Sequence, residues 1–240
     1  DAEIIAAFEA AITERTRAML VTHMINLNGQ ILPVQELIAL AEKHGIEVMV
    51  DGAHSFAQMD FKLPDLGCNI FGTSLHKWTS APLGNGMLHV AKSKIPEIWP
   101  LFGDREYPKD DIRKLEHYGT RNPGGLLGIG AALDFNATVT VARKQARLDY
   151  LKSIWTEAVR DHPRIQLNTS LKPGHSCALA NVGVEGYTPE GLAETLMKDH
   201  GIFTAPVARE ALQGVRVTPH LHTTVAQVEA IVVALRKIAE

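Results

Sequence analysis

The sequence predicts an α/β fold, a mostly parallel sheet between helices, followed by a smaller α+β domain. Three observations carry this. Short apolar runs such as Ile46-Glu47-Val48-Met49-Val50 alternate with helical patterns of about 10–15 residues, as in βαβ units. Two such runs end in residues with chemistry to offer, Asp51 after the first and Lys77 shortly after Cys68-Asn69-Ile70-Phe71-Gly72-Thr73. Beyond about residue 134 the strands and helices follow a different, mixed order, so the expected domains are 1–133 and 134–240.

The elements follow in order. Ile4, Ile5, Phe8 and Ile12 repeat at helical spacing, which predicts a helix over 1–16. A strand over 18–23 leads through Asn26-Leu27-Asn28-Gly29 to a helix over 33–44, with Pro33 in its first turn and Gly45 closing it. Strands are predicted over 46–50 and 68–73. Gly84-Asn85-Gly86 turns the chain into Met87-Leu88-His89-Val90. From Ile95 to Arg121 the text is polar and proline-rich, which reads as a loop with a function or a partner to pack on. Pro123-Gly124-Gly125 opens a helical pattern that runs, with a break, to about Arg160. The rest predicts strands over 177–184, 202–206 and 214–218 and helices over 189–200 and 224–239. Thr188 and Thr224 are placed as N-caps, and Thr224 with Gln227 as a capping box.

Composition narrows the partners. The chain has 240 residues, 45% hydrophobic and 21% charged, with a formal charge of −3. That charge argues for neither nucleic acid nor an anionic membrane as a partner. No apolar run reaches the roughly 18 residues of a membrane span, and the chain shows no signal peptide pattern. Cys68 and Cys177 are too few for a disulfide framework and lack metal-ligand spacing, so no metal site and a reducing, cytoplasmic location are expected. No Gly-x-Gly-x-x-Gly follows a strand, which argues against a dinucleotide-binding domain.

An acid and a lysine at the ends of adjacent strands suit pyridoxal phosphate. A carboxylate pairs with the pyridinium nitrogen so that the ring takes up electrons, and a lysine holds the aldehyde as a Schiff base. Read alone, each residue has a plainer role. Lys77 could be a solvated loop lysine, and Asp51 an Asx cap of the next turn. Yet the two stand 26 positions apart, one strand-loop-strand unit, so both could face one ligand.

Five anchors in order then resemble the class V aminotransferase family of fold-type I pyridoxal phosphate enzymes, in its isopenicillin N epimerase-like branch. They are Thr22-His23-Met24-Ile25-Asn26, Asp51-Gly52-Ala53-His54, Ser74-Leu75-His76-Lys77-Trp78, Gly119-Thr120-Arg121 and Val215-Arg216-Val217-Thr218-Pro219. The resemblance implies that Lys77 is the Schiff-base lysine and Asp51 the pyridinium partner. His54 stands where many relatives carry a glutamine contacting the ring oxygen; a structural histidine is the alternative. Ser74 and His76 would donate to the phosphate, and Thr120 would reach across a homodimer to the partner's phosphate, unless it is only part of a helix N-cap region. Asn26 would lie near the ring and the substrate carboxylate, or be a plain turn residue. Arg216 would fork that carboxylate, since guanidinium forms two parallel hydrogen bonds that lysine does not reproduce. Arg121 is a second candidate for an anion.

The implied activity is on an amino acid or derivative with free α-amino and α-carboxyl groups, and epimerisation, transamination and lyase chemistry share its first steps. A desulfurase is disfavoured, because Gly201-Ile202-Phe203-Thr204-Ala205-Pro206 lacks the loop cysteine of those relatives. The family's phosphate turn and ring-stacking residue are expected to precede Asp1. A cofactor-poor fragment or a non-catalytic dimerising scaffold therefore remains an alternative.

Overall fold

The computed structural model describes residues 1–100, 106–116, 119–120 and 123–240. The chain packs as two compact units. One holds residues 1–23, 32–57 and 61–138, and the other holds 24–31, 58–60 and 139–240.

The first unit is built on a four-stranded sheet, β1 Ala18–Thr22, β2 Glu47–Asp51, β3 Ile70–Ser74 and β4 Gly86–Val90, in that spatial order. β1, β2 and β3 run parallel, and β4 is antiparallel to β3. The alternation in the sequence sets which side is buried. Met19, Val21, Val48, Val50 and Phe71 point into the core, whereas Leu20 and Met49 face outward. Helix α1 (Ala2–Ala11) supplies Ile5 and Phe8 to that core, and α2 (Val34–Lys43) supplies Val34, Leu37, Ile38 and Ala41 at helical spacing. α3 (Leu63–Leu66) precedes β3, and α4 spans Pro123–Val139.

α1 stops at Ala11 and not at residue 16 because Thr13 and Thr16 satisfy one another, the Thr13 N–H donating to Thr16 Oγ1 at 2.9 Å. Threonine side chains compete with the helical ladder in this way. Pro33 lies just outside α2, at its N-cap position. The long helical pattern breaks at Thr140, which takes φ 64° and caps the next helix, its hydroxyl accepting from the Arg143 N–H.

The second unit is an antiparallel sheet in the order β5 (Ile165–Leu167), β6 (Ala180–Val184), β8 (Leu212–Val217), β7 (Ala205–Arg209). Helices α5 (Val141–Val159), α6 (Pro189–His200) and α7 (Val225–Ala239) bury Leu151, Trp155, Leu196, Ile231 and Leu235 against Val182 and Val215. Thr188 caps α6, and Thr224 with Gln227 forms the expected capping box on α7. β5 has no counterpart in the sequence reading. The strand expected over 202–206 begins at Ala205, because Gly201 closes α6 at φ 65° and the Ile202 N–H returns to the Leu196 carbonyl at 3.0 Å. Among the described residues no single helix is long and apolar enough to cross a membrane.

His23, directly after β1, is 5% exposed, and burial pushes its pKa down to about 4. The unfolded chain therefore binds one more proton than the folded chain between about pH 6.5 and 4, so this contribution is present above pH 6.5 and lost as pH falls through 4. The cost amounts to about 3 kcal/mol, at 1.36 kcal/mol per pH unit. Urea midpoints measured from pH 7 to 4 should fall more steeply for the native chain than for His23→Phe. Equal slopes would assign the acid sensitivity elsewhere.

Candidate functional site

The parallel strands of the first unit deliver their side chains to one edge. Thr22, Asp51 and Gly72 stand in register across β1, β2 and β3, and Ser74 ends β3 on the same face as Asp51. Ligands in open α/β sheets bind at this carboxyl edge. Asp51 and Ser74 line a cleft of about 570 Å3 together with Met87, Leu88 and Glu116.

The Asp51 carboxylate is held from behind. Its Oδ1 accepts from the Ala53 N–H at 2.9 Å, starting a tight turn in which the Ser55 and Phe56 N–H groups both donate to the Gly52 carbonyl. Thr73 Oγ1 donates to the same carbonyl at 3.1 Å, tying the turn to β3. Only glycine fits at position 52, where a Cβ would lie 1.9 Å from Cζ of the fully buried Phe71. The Asp-Gly-Ala-His spelling thus has a packing cause as well as a chemical one.

That turn carries His54 to Lys77. Lys77 Nζ lies 3.3 Å from His54 Nε2, and the indole N–H of Trp78 donates to His54 Nδ1 at 3.3 Å. The Lys77 loop is braced at both ends. The Ala81 N–H donates to the Leu75 carbonyl, the Ser80 N–H to the Lys77 carbonyl with Ser80 at φ 62°, and Asn136 of α4 donates to the Thr79 carbonyl at 2.8 Å. His76 is turned to the Asn85 carbonyl, its Nδ1 3.1 Å away. Asn85 and Asn136 are contributors that the sequence reading missed. Their bonds reach 9 and 57 positions along the chain, and the Gly84-Asn85-Gly86 turn marks Asn85 as a turn residue without showing its partner.

Thr120 is an exposed bend residue, while Arg121 lies outside the described residues. Asn26 and Arg216 belong to the second unit and meet there, Arg216 Nη1 donating to the Asn26 carbonyl at 3.0 Å. Among the described residues no carboxylate pairs with Arg216. The 26–28 segment is fixed by a polar network. Asn181, the cross-strand neighbour of Arg216, donates to the Leu27 carbonyl, Asn28 donates to the Asn168 carbonyl, and the Thr169 hydroxyl donates to the Asn28 carbonyl. Gly29 closes the turn at φ 77°, where a Cβ would meet the Leu179 carbonyl oxygen.

These residues fit pyridoxal phosphate. A carboxylate anchored through one oxygen, facing a cleft and with no cationic partner among the described residues, suits a protonated ring nitrogen. An amine one strand away suits an aldehyde.

The sequence profile of the aminotransferase class-V family matches residues 3–230. The chain belongs to the aminotransferase class-V family. The chain is 29% identical over 254 residues to an isopenicillin N epimerase of Amycolatopsis lactamdurans, across 99% of the chain and 64% of that relative. The cysteine desulfurase CsdA of Escherichia coli has a similar fold, with a TM-score of 0.81 at 21% identity, over 97% of the chain and 61% of that structure. A C-DES mutant with glycine covalently linked to its pyridoxal phosphate cofactor superposes with a TM-score of 0.82 at 18% identity, over 96% of the chain and 63% of that structure. The chain therefore spans somewhat under two thirds of the length of each.

The two cysteines are poor candidates for sulfur chemistry. Both are buried, though neither lies in a strand as the sequence reading expected, and burial pushes the Cys177 thiol up to about 12.

Proposed function

We propose that this chain carries the catalytic lysine and the substrate-carboxylate arginine of a pyridoxal phosphate enzyme. Its substrate is an amino acid, or a derivative with free α-amino and α-carboxyl groups, and its reaction is of the epimerase or aminotransferase type. The observation that carries this reading is the Lys77 amine beside His54, at the strand edge that also presents the Asp51 carboxylate.

When bound, the cofactor supplies an aldehyde to join to an amine and a ring that accepts electrons from the substrate Cα. Lys77 would hold that aldehyde, and its Nζ, once released, would remove the Cα proton. Asp51 keeps the ring nitrogen protonated through a charge-assisted hydrogen bond. Ser74 serves the phosphate, and His76 does so when doubly protonated, its Nδ1–H on the Asn85 carbonyl and its Nε2–H left to donate, while Thr120 serves the phosphate site of a second copy in a homodimer. Arg216, steadied by the Asn26 carbonyl, holds the substrate carboxylate and orients the Cα–H bond. Return of that proton to the opposite face of the substrate Cα would give an epimerase, and a proton not returned to Cα would belong to the aminotransferase type. Sulfur removal is disfavoured, since residues 201–209 contain no cysteine and Cys177 is buried with a raised pKa.

Borohydride reduction of the cofactor-loaded protein, followed by peptide mapping, should mark Lys77. A mark on Lys62, Lys92 or Lys94 in its place would reject the assignment. Arg216→Lys keeps the charge and loses the fork, so KM for an amino acid should rise about 10-fold or more, from the 1.5–3 kcal/mol of a charge-assisted hydrogen bond. Unchanged kinetics would make Arg216 a residue of the fold alone.

A further inference from the structure

We infer that Trp78 is a positioning residue that fixes the tautomer of His54, and that His54 in this tautomer holds the Lys77 amine in its unprotonated, nucleophilic form. The inference deepens the reading above and rests on Lys77 being the aldehyde-holding lysine.

Trp78 is 3% exposed, and its indole Nε1 has a hydrogen to give and no lone pair to offer. It lies 3.3 Å from His54 Nδ1, which must therefore be the accepting nitrogen. A neutral imidazole with a bare Nδ1 carries its proton on Nε2. That Nε2 is the atom 3.3 Å from Lys77 Nζ. An Nε2–H finds a lone pair on Lys77 only when the amine is neutral, because an ammonium has three donors and no acceptor. A charged imidazolium would likewise set an Nδ1–H against the indole N–H. Both contacts of the Trp78–His54–Lys77 chain are satisfied together when the histidine and the lysine are neutral.

His76, on the other sequence side of Lys77, provides the contrast. Its Nδ1 faces the Asn85 carbonyl at 3.1 Å, and a carbonyl only accepts, so its proton sits on Nδ1. The two histidines are held in opposite tautomers by partners whose roles are fixed. The consequence is chemical. A neutral Lys77 adds its lone pair to an aldehyde carbon, and the carbonyl oxygen leaves as water with both amine hydrogens.

Two measurements on the cofactor-free chain test this, so that they succeed or fail separately from the cofactor assignment, which reduction with pyridoxal phosphate decides. In the first, nitrogen-15 spectra of histidine-labelled protein, with signals assigned by His54→Gln and His76→Gln, should show the ring proton of His54 on Nε2 and that of His76 on Nδ1. A proton on Nδ1 of His54 would overturn the inference, and this needs no variant of Trp78. In the second, the protein is treated with acetaldehyde and cyanoborohydride, which delivers hydride to the carbon–nitrogen double bond, and ethylation of Lys77 is followed relative to exposed Lys92. Trp78→Phe keeps an apolar ring and removes the donor, so the Lys77:Lys92 rate ratio should fall about fivefold or more, the worth of one neutral hydrogen bond, and His54 should become a tautomer mixture. A ratio and a tautomer both unchanged in Trp78→Phe would show that the indole only fills space.

Discussion

Lys77→Ala is expected to lower turnover by about 10^4-fold or more while leaving the fold intact. The size follows from the two duties assigned to one atom. A positioned general base contributes about 10^2–10^4-fold by itself, and the same substitution removes the covalent anchor of the cofactor. The fold should survive because Lys77 takes part in its loop through its backbone. The Ser80 N–H still donates to the carbonyl of residue 77, the Ala81 N–H still donates to Leu75, and Trp78 stays buried. Circular dichroism and the urea midpoint should match those of the native chain, and borohydride mapping should find no labelled peptide around residue 77. Turnover within about tenfold of native, the lower bound for losing one general base being larger, would remove Lys77 from the reaction. Lys77→Arg is the matched control: it keeps a long basic side chain at the site but offers no nucleophilic amine, so it should be as inactive as alanine.

The strand edge that presents this lysine was legible in the sequence because burial writes itself as alternation. Val48 and Val50 go in, Met49 goes out, and the next residue on the outward face is Asp51. Threonine and glycine punctuation was equally readable, as at Thr188, Thr224 and Gly45. The short β5 was not, since three residues with one buried side chain carry no period to detect. The pattern predicts a strand from residue 202 because Ile202 and Phe203 are apolar, whereas the strand begins at Ala205 and Ile202 completes the end of α6. At the site, residue types were legible and their bonds were not. In the sequence His54 reads as a ring-oxygen contact or a structural histidine, and its place between Trp78 and Lys77 appears only when residues 23 and 24 positions apart are brought together. The same holds for Asn181 and Arg216, whose shared face depends on the pairing of β6 with β8. Propensity and period are local signals, while a polar network is set by tertiary register.

Trp155→Ala is expected to cost about 3–5 kcal/mol, the range for truncating a buried tryptophan. That is a large share of the roughly 5–15 kcal/mol by which domains are stable. Trp155 is fully buried on α5, in one cluster with Leu151, Val159, Leu192, Leu196 and Ile231, so three helices lose a common contact when it goes. Close packing leaves the surrounding side chains little room to collapse into the gap. Trp155→Phe should be much milder, for a reason visible in the structure. The indole N–H is buried with no hydrogen-bond partner among the described residues, and an unsatisfied donor carries a penalty that phenylalanine removes while sacrificing some volume. Urea unfolding followed by circular dichroism separates the two, with a lowered midpoint at unchanged slope for Trp155→Ala and a midpoint near native for Trp155→Phe. Equal losses in both variants would mean that the indole N–H has a partner that stabilises it. Because Asn26 and Arg216 share this unit, partial unfolding by Trp155→Ala should also raise KM for an amino acid, while Lys77, in the other unit, keeps its borohydride label.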